Sequence, residues 1–375
     1  MEHYLDNSAT TMVSEGAAKK AYEIMVENYG NPSSLHSKGM QAEYELEKAR
    51  KIIAKALNAT SEEIFFTSGG TEANNTVLSG VAQAKKRRGK KIIISSVEHS
   101  SIIETAKHLE NEGFEIVRIF PQADGVIHTE DVLKELDNDT ILVSIMSVNN
   151  ETGAIMPVEE IFSAVKEKNK DVICHTDAVQ AFGKIKINSK KLNADLISVT
   201  AHKIHAPKGC GALFVKKGVR IIPLIFGGEQ EKKIRPGTEA LPLIGAFGQA
   251  CKEFDIDKNY ENVKVLNDYA RHKLSKIDGV EFNSSDKCLP YVLNISAGTV
   301  RSETMLHFLE EQDVFVSSGS ACAKGKPSYV LEAMNIKGAR ADSALRISFS
   351  KYNTKEDIDA LCDGIEKGLS VLAKR

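Results

Sequence analysis

The chain lacks any apolar stretch near the roughly 18 residues that a membrane span needs, so no spanning helix is expected. It also lacks charge imbalance. Lysine and arginine number 49 against 51 acidic residues, a net charge of −2. A nucleic-acid or anionic-membrane surface is therefore not expected. Its six cysteines are Cys174, Cys210, Cys251, Cys288, Cys322 and Cys362, and no two stand at CxxC spacing. That spacing argues against a zinc site or redox pair and for free thiols in a reducing setting. The opening residues, Met1-Glu2-His3-Tyr4, have neither the basic nor the apolar region of a secretory signal. The cytoplasm is the expected location. No internal repeat or low-complexity segment is present.

What is present is 375 residues with 42% hydrophobic and 27% charged content. That length predicts two domains, or one large domain with an appendage. Short Ile- and Val-rich runs recur at 64–67, 91–95, 115–120, 141–148, 172–176 and 196–199. Nearly unbroken apolar runs are the mark of parallel strands covered on both faces. Amphipathic stretches such as 101–112 and 158–168 lie between them, and 211–215 reads as an added antiparallel strand. The expectation is an α/β fold with a doubly wound, mostly parallel, seven-stranded sheet. A helix over 241–254 closes it, and 255–259 reads as a boundary. Beyond lie a helix at 260–276, strands at 291–296, 314–317 and 345–349, and a helix at 354–373, a smaller α+β domain. The predicted division is 13–255 for the large domain, with 1–12 and 256–375 forming the small one. The basic run of Lys85 to Arg88 with Lys90 and Lys91 reads as a solvated helix end before a strand.

Open α/β sheets bind ligands beyond the C-terminal ends of their strands. Ser68-Gly69-Gly70-Thr71 follows the first strand and opens a helix, where free N–H groups suit a phosphate or form only a tight turn. Glu98-His99 follows the second; the imidazole there could stack on a flat ring or cap a helix. Asn149-Asn150-Glu151-Thr152-Gly153 offers amides to a ligand, or a turn. Asp177 ends a buried run, where a carboxylate needs a cationic partner such as a protonated pyridine, or serves as a helix cap. Gln180 follows on the same turn. Lys203, flanked by Thr200 and His202, is placed either as a solvated lysine or as a partly desolvated Schiff-base nucleophile. Taken in order, these five strand ends hold a phosphate cradle, a ring-stacking group, an amide, a pyridinium partner and an imine-forming lysine. That set predicts pyridoxal 5′-phosphate (PLP).

Two further residues stand out near the end of the chain. Cys322 lies among small, polar and cationic residues, with Lys324 and Lys326 close by, which favours thiolate character. Arg346 sits inside an apolar strand and needs a carboxylate or carbonyl partner, either a substrate or a structural ion pair.

The sequence resembles the NifS-like (NifS/IscS-type) cysteine desulfurases, in the class V aminotransferase group of fold-type I PLP enzymes. The resemblance runs almost end to end. It includes Tyr4-Leu5-Asp6-Asn7-Ser8-Ala9-Thr10-Thr11, Gly30-Asn31-Pro32-Ser33-Ser34-Leu35-His36 and Thr67-Ser68-Gly69-Gly70-Thr71-Glu72. It continues through Val97-Glu98-His99, Val148-Asn149-Asn150-Glu151, Asp177-Ala178-Val179-Gln180, His202-Lys203, Arg235-Pro236-Gly237-Thr238 and Ser318-Gly319-Ser320-Ala321-Cys322. The resemblance implies that Lys203 carries the cofactor, Asp177 pairs with its ring nitrogen and Gln180 bonds its ring hydroxyl. His99 would stack on the ring and move protons. Gly70, Thr71, Thr200 and His202 would hold the phosphate, and Thr238 would reach the phosphate of a partner subunit in a homodimer. Asn31, Asn150 and Arg346 would bind the substrate carboxylate. Cys322 would take sulfur from L-cysteine as a persulfide and hand it to an acceptor protein, such as a cluster scaffold or a thiolation enzyme. No metal is implied. Two departures from the family pattern are a short segment between Cys322 and Pro327 and a proline at 236, often serine. Other PLP chemistries on this scaffold are the nearest alternatives: a selenocysteine lyase, a cysteine-sulfinate desulfinase or an aminotransferase. A non-catalytic scaffold is a more distant one.

Overall fold

A computed structural model describes residues 2–318 and 328–372. Cys322 lies outside the described residues. A short strand, His3–Tyr4 (β1), leads to helices Glu15–Val26 (α1) and Ser37–Ala56 (α2). Seven strands then form one sheet: Ile64–Thr67 (β2), Lys91–Ser95 (β3), Glu115–Ile119 (β4), Thr140–Ser144 (β5), Ile173–Asp177 (β6), Leu196–Thr200 (β7) and Gly211–Val215 (β8). Their order is β2-β8-β7-β6-β5-β3-β4. Strand β8 runs antiparallel to both neighbours, and the other pairings are parallel. This is the expected doubly wound, seven-stranded sheet. The helices that cross it include Gly70–Lys85 (α3), Ser100–Asn111 (α4), Thr129–Glu135 (α5), Val158–Lys168 (α6) and Leu241–Lys252 (α7). Strands β2, β3, β5, β6, β7 and β8 are buried along their whole length. Covered on both faces, they have no polar side to alternate with the apolar one.

A helix at Ile256–Leu274 (α8) leads to strands Val280–Phe282 (β9) and Val292–Ala297 (β10), and a helix at Ser302–Glu310 (α9) follows. Strands Val314–Phe315 (β11) and Ser317–Ser318 (β12), short helices Tyr329–Ala333 (α10) and Ala339–Asp342 (α11), strand Ala344–Ser348 (β13) and helix Lys355–Val371 (α12) complete the chain. The second sheet is antiparallel, in the order β12-β13-β10-β9. The N-terminal strand joins this part of the molecule: β1 pairs with β11, and Asp6 bridges to Ser348. Among the described residues no helix is long and apolar enough to cross a membrane.

Four local expectations change. Helix α8 begins at Ile256, not 260, because the Asp255 side chain caps it by accepting from Lys258 N. The 141–148 run leaves the strand after Ser144, although its apolar residues stay buried. The 314–317 run divides between two sheets, β11 with β1 and β12 with β13. Lys91 is buried rather than solvated, and Nζ sits 2.9 Å from Asp137 Oδ2 with Glu115 and Glu135 beyond.

Candidate functional site

Thr67, Ser95, Ser144, Asp177 and Thr200 end strands β2, β3, β5, β6 and β7. The loops after them bring most of the singled-out residues together.

Asp177 is the last residue of β6 and 4% exposed. It is not a helix cap. Its Oδ1 accepts from Val179 N at 2.9 Å, and its Oδ2 accepts from Asn74 Nδ2 at 2.7 Å. Both donors are neutral, so this buried carboxylate is suited to a cationic partner. Asn74, one turn into α3, also donates to Ser101 Oγ at 2.9 Å. Ser101 Oγ in turn lies 2.9 Å from His99 Nδ1.

His99 caps α4: its Nδ1 accepts from Ser101 N at 3.2 Å. With Nδ1 engaged as an acceptor, the ring's proton belongs on Nε2. Burial lowers the His99 pKa, with Asp177 raising it and Lys203 lowering it again. The imidazole is thus kept neutral and within electrostatic reach of both charged groups.

Lys203 Nζ donates to Ser8 O at 2.5 Å and Ala9 O at 2.6 Å. Gln180 Nε2 donates to the same Ser8 O at 3.0 Å. His202 lies 3.3 Å from Thr10 Oγ1, and burial, then nearby lysines, take its pKa down to about 4. The segment after β1 is therefore a wall of the site. Ser8 and Ala9 act here through backbone carbonyls, which leave no side-chain signature in the sequence. Asn74 was missed in the sequence. Its spacing, one turn after Gly70 on the same helix, was the available signal.

The start of α3 is open. Its N-cap is Gly69, at φ +156°, with no side chain to cap the first N–H groups. A Cβ built on Gly69 would point toward Thr200 Oγ1, 3.8 Å away. On Gly70 it would strike Val179 Cγ2 at 2.8 Å. Uncapped N–H groups at a helix N-terminus, with two hydroxyls (Thr71, Thr200) in the same loops, form a cradle for a phosphate.

Arg346, in the middle of β13, is 4% exposed. Its Nη2 pairs with Asp6 Oδ1 at 2.8 Å, and Nη1 donates to Asn150 O at 3.3 Å. The structural ion pair is therefore present. Yet Arg346 Nε and Asn150 Oδ1 are buried without hydrogen-bond partners among the described residues. Such atoms carry a desolvation cost unless a ligand satisfies them. Asn31 and Thr238 are both exposed and stand apart from this cluster. Asn31 Oδ1 accepts from Ser33 N at 2.9 Å.

The five described cysteines are thiols. Burial pushes Cys174 and Cys362 up to about 12, and raises Cys210, Cys251 and Cys288 as well. No cluster of metal-ligating side chains occurs among the described residues.

Glu98, beside His99, is fully buried. Its Oε1 accepts from Ser95 Oγ and Met146 N, both at 2.7 Å, and Oε2 has no partner among the described residues. Burial raises its pKa to about 8. An acid raised in the folded state is protonated there while the unfolded chain ionises. Stability therefore falls as pH rises from about 4.3 to about 8, at about 1.4 kcal/mol per pH unit. Glu98→Gln removes that slope. The variant should gain stability relative to the parent across this window and level off above it. Urea unfolding at pH 5 and pH 8.5 checks this; equal differences at both values would contradict it.

Comparison with known proteins agrees with this geometry. The aminotransferase class-V family model matches residues 3–361. The cysteine desulfurase IscS of Dictyoglomus turgidum is 41% identical over 372 residues, covering 98% of this chain and 94% of that protein. The mitochondrial cysteine desulfurase of Candida albicans is 39% identical over 99% of this chain and 77% of its own length. A solved NifS-like protein superposes with a TM-score of 0.95 at 38% identity, covering 99% of this chain and all of that one.

Proposed function

This chain belongs to the class-V aminotransferase family, as a PLP-dependent cysteine desulfurase of the NifS/IscS type, and we propose how its residues divide the conversion of L-cysteine to L-alanine. The single observation that carries the assignment of roles is the Asp177–Asn74–Ser101–His99 hydrogen-bond chain, with Lys203 in electrostatic reach of His99.

PLP fits the residues present. The uncapped start of α3 at Gly70 and Thr71, together with Thr200 and His202, would hold its phosphate. Asp177 would face its ring nitrogen, Gln180 its ring hydroxyl and His99 its ring face. Lys203 would be its covalent anchor. When bound, the cofactor supplies an electron sink for charge developing at the substrate carbons. Everything else falls to the protein. Arg346 binds the substrate carboxylate, which is supported by its unsatisfied Nε, and Asn150 would donate to the same carboxylate through Nδ2. Asn31, exposed in one chain, would be a third ligand of that carboxylate. Lys203 Nζ holds and returns a proton once freed, and His99 Nε2 exchanges one from the other side. The Cys322 thiolate attacks the substrate sulfur. The carbon–sulfur bond breaks with its electron pair left on carbon, which takes up a proton; a sulfur–sulfur bond forms on Cys322, and L-alanine leaves. That Cys322 is the nucleophile is supported by the other five cysteines, which burial keeps protonated.

A homodimer completes this reading, with Thr238 reaching the phosphate of the second subunit. Large apolar side chains left exposed in one chain support it: Leu35 at 98%, Phe226 at 81% and Tyr29 at 68%. The sulfur then passes to an acceptor protein, in cluster assembly or tRNA thiolation. The cytoplasm is the proposed compartment, in keeping with free thiols. The proposed large unit is 13–255, with 1–12 and 256–375 as the second, supported by the pairing of β1 with β11.

The test is a mass spectrum after incubation with L-cysteine. One added sulfur atom is expected on the peptide bearing Cys322. Cys322→Ala should keep the coloured cofactor and release no sulfide from cysteine. Full sulfide release by that variant would sink the persulfide route.

A further inference from the structure

Lys184 has no part in the roles above, yet it lies directly behind the site. It is only 5% exposed. Its Nζ donates to Gln180 Oε1 at 2.8 Å. Gln180 Nε2 donates to Ser8 O, and Lys203 Nζ donates to that same carbonyl. A continuous polar chain thus runs from Lys184 through Gln180 and Ser8 to Lys203.

Burying a lysine is unfavourable unless something compensates. Here the compensation is meagre. Lys184 has the Gln180 carbonyl and the face of Tyr291, whose centroid is 5.7 Å from Nζ. Burial, then the positive charges of Lys203 and Arg346, lower its pKa to about 7. His205, Glu253 and Lys351 line the same small cavity, which Lys203 and Tyr291 share. A methionine would fill this place at less cost to the fold, so stability does not account for the residue.

Hydrogen-bond chemistry does. A glutamine amide has an accepting end and a donating end. A lysine nitrogen carrying its protons can only meet the accepting end in this contact, and the Ser8 carbonyl can only meet the donating end. The two neighbours therefore hold the Gln180 amide in one orientation. Ser8 takes one N–H, and the second is left for whatever lies over Gln180. Without Lys184, the Gln180 carbonyl loses its partner and the opposite orientation becomes cheaper.

We propose that Lys184 is a positioning residue for the cofactor: by claiming Gln180 Oε1 it makes Gln180 present an N–H to the PLP ring hydroxyl. This rests on the cofactor assignment above. An N–H toward the ring oxygen favours its ionised form. Lys184 adds a positive charge on the same side. Both effects make the neighbouring Lys203-linked chromophore easier to deprotonate.

The experiment is a spectrophotometric pH titration of the PLP-loaded protein. In Lys184→Met the pH midpoint of the colour change should rise by about one unit or more, the scale of removing a nearby like charge. Lys184→Gln keeps a donor without the charge and should shift it less. In a Gln180→Leu background, Lys184→Met should add less than it does alone, because the part of its effect carried through Gln180 is already lost. Urea unfolding of the cofactor-free protein should show Lys184→Met at least as stable as the parent. A midpoint unchanged in both Lys184 variants, or fully additive shifts, would overturn the role of Lys184 and leave the cofactor assignment standing. Parent protein that forms no coloured complex with PLP would overturn both.

Discussion

Lys203→Ala is expected to lower cysteine desulfuration by about 10²- to 10⁴-fold, the range that one positioned proton-transfer group supplies. The loss should fall on kcat rather than on KM alone, because Lys203 acts on the reacting centre while the carboxylate contacts at Arg346 and Asn150 remain. The fold should survive. Lys203 donates to two carbonyls at the site wall, Ser8 O and Ala9 O, and in the alanine variant Ser8 O keeps its bond from Gln180 Nε2. The cofactor should still bind through the phosphate cradle and Asp177, but without a covalent link to the chain. Borohydride reduction followed by peptide mapping separates the two states: the parent is labelled at Lys203, and the variant is unlabelled. Parent-level turnover in Lys203→Ala would remove the central residue of the mechanism.

Glu231→Ala should be strongly destabilising, costing about 3 kcal/mol, the low end of the scale for removing one partner of a buried ion pair, because Arg50 keeps Glu47. The side chains of Arg50 and Glu231 are 12% and 2% exposed, and they meet through two hydrogen bonds of 2.8 Å. Glu231 Oε2 also accepts from Phe66 N in β2. The alanine variant leaves the guanidinium with only Glu47 Oε1 and Ile64 O, and strands the Phe66 N–H. Arg50→Met with Glu231→Leu removes both charges, and the pair should be less destabilised than Glu231→Ala alone. Urea unfolding of the single and double variants measures this. A single variant within about 1 kcal/mol of the parent, the cost of an ordinary surface pair, would show that the bridge is not buried in solution.

The buried pair also shows why part of the molecule was hidden from sequence reading. Glu231 falls in a polar stretch, Gln230-Glu231-Lys232-Lys233, that reads as an exposed loop. Its burial follows from left-handed backbone at Glu231, Lys232 and Lys233, at φ +46°, +52° and +68°. Non-glycine residues adopt that conformation only when tertiary contacts hold them there. The same is true of Lys91, read as a solvated cation and found buried among carboxylates from β4, α5 and the loop after α5. The division of 314–317 between two sheets was likewise invisible, because one apolar run carries no record of which partner takes each half.

The strand set was legible for the opposite reason. A strand covered on both faces must be apolar throughout, so its signal is local and survives without knowledge of its neighbours. The order in which Gly70, His99, Asn150, Asp177 and Lys203 follow their strands was local in the same sense. Residue types at strand ends, combined with the rule that ligands bind there, were enough to point to PLP.

By itself, then, the sequence determined the fold class and the cofactor class, and nominated the residues proposed to meet the cofactor, because each depends on short-range pattern. Tertiary structure decided the hydrogen bonds that set their states. The residues in contact are far apart along the chain: Asp177 is answered by Asn74, Lys203 by Ser8 and Ala9, Arg346 by Asp6 and Asn150. Which end of an amide faces inward, and which nitrogen of His99 holds the proton, follow from those distant partners. A linear pattern can nominate a donor or an acceptor, but only the packed chain chooses its partner.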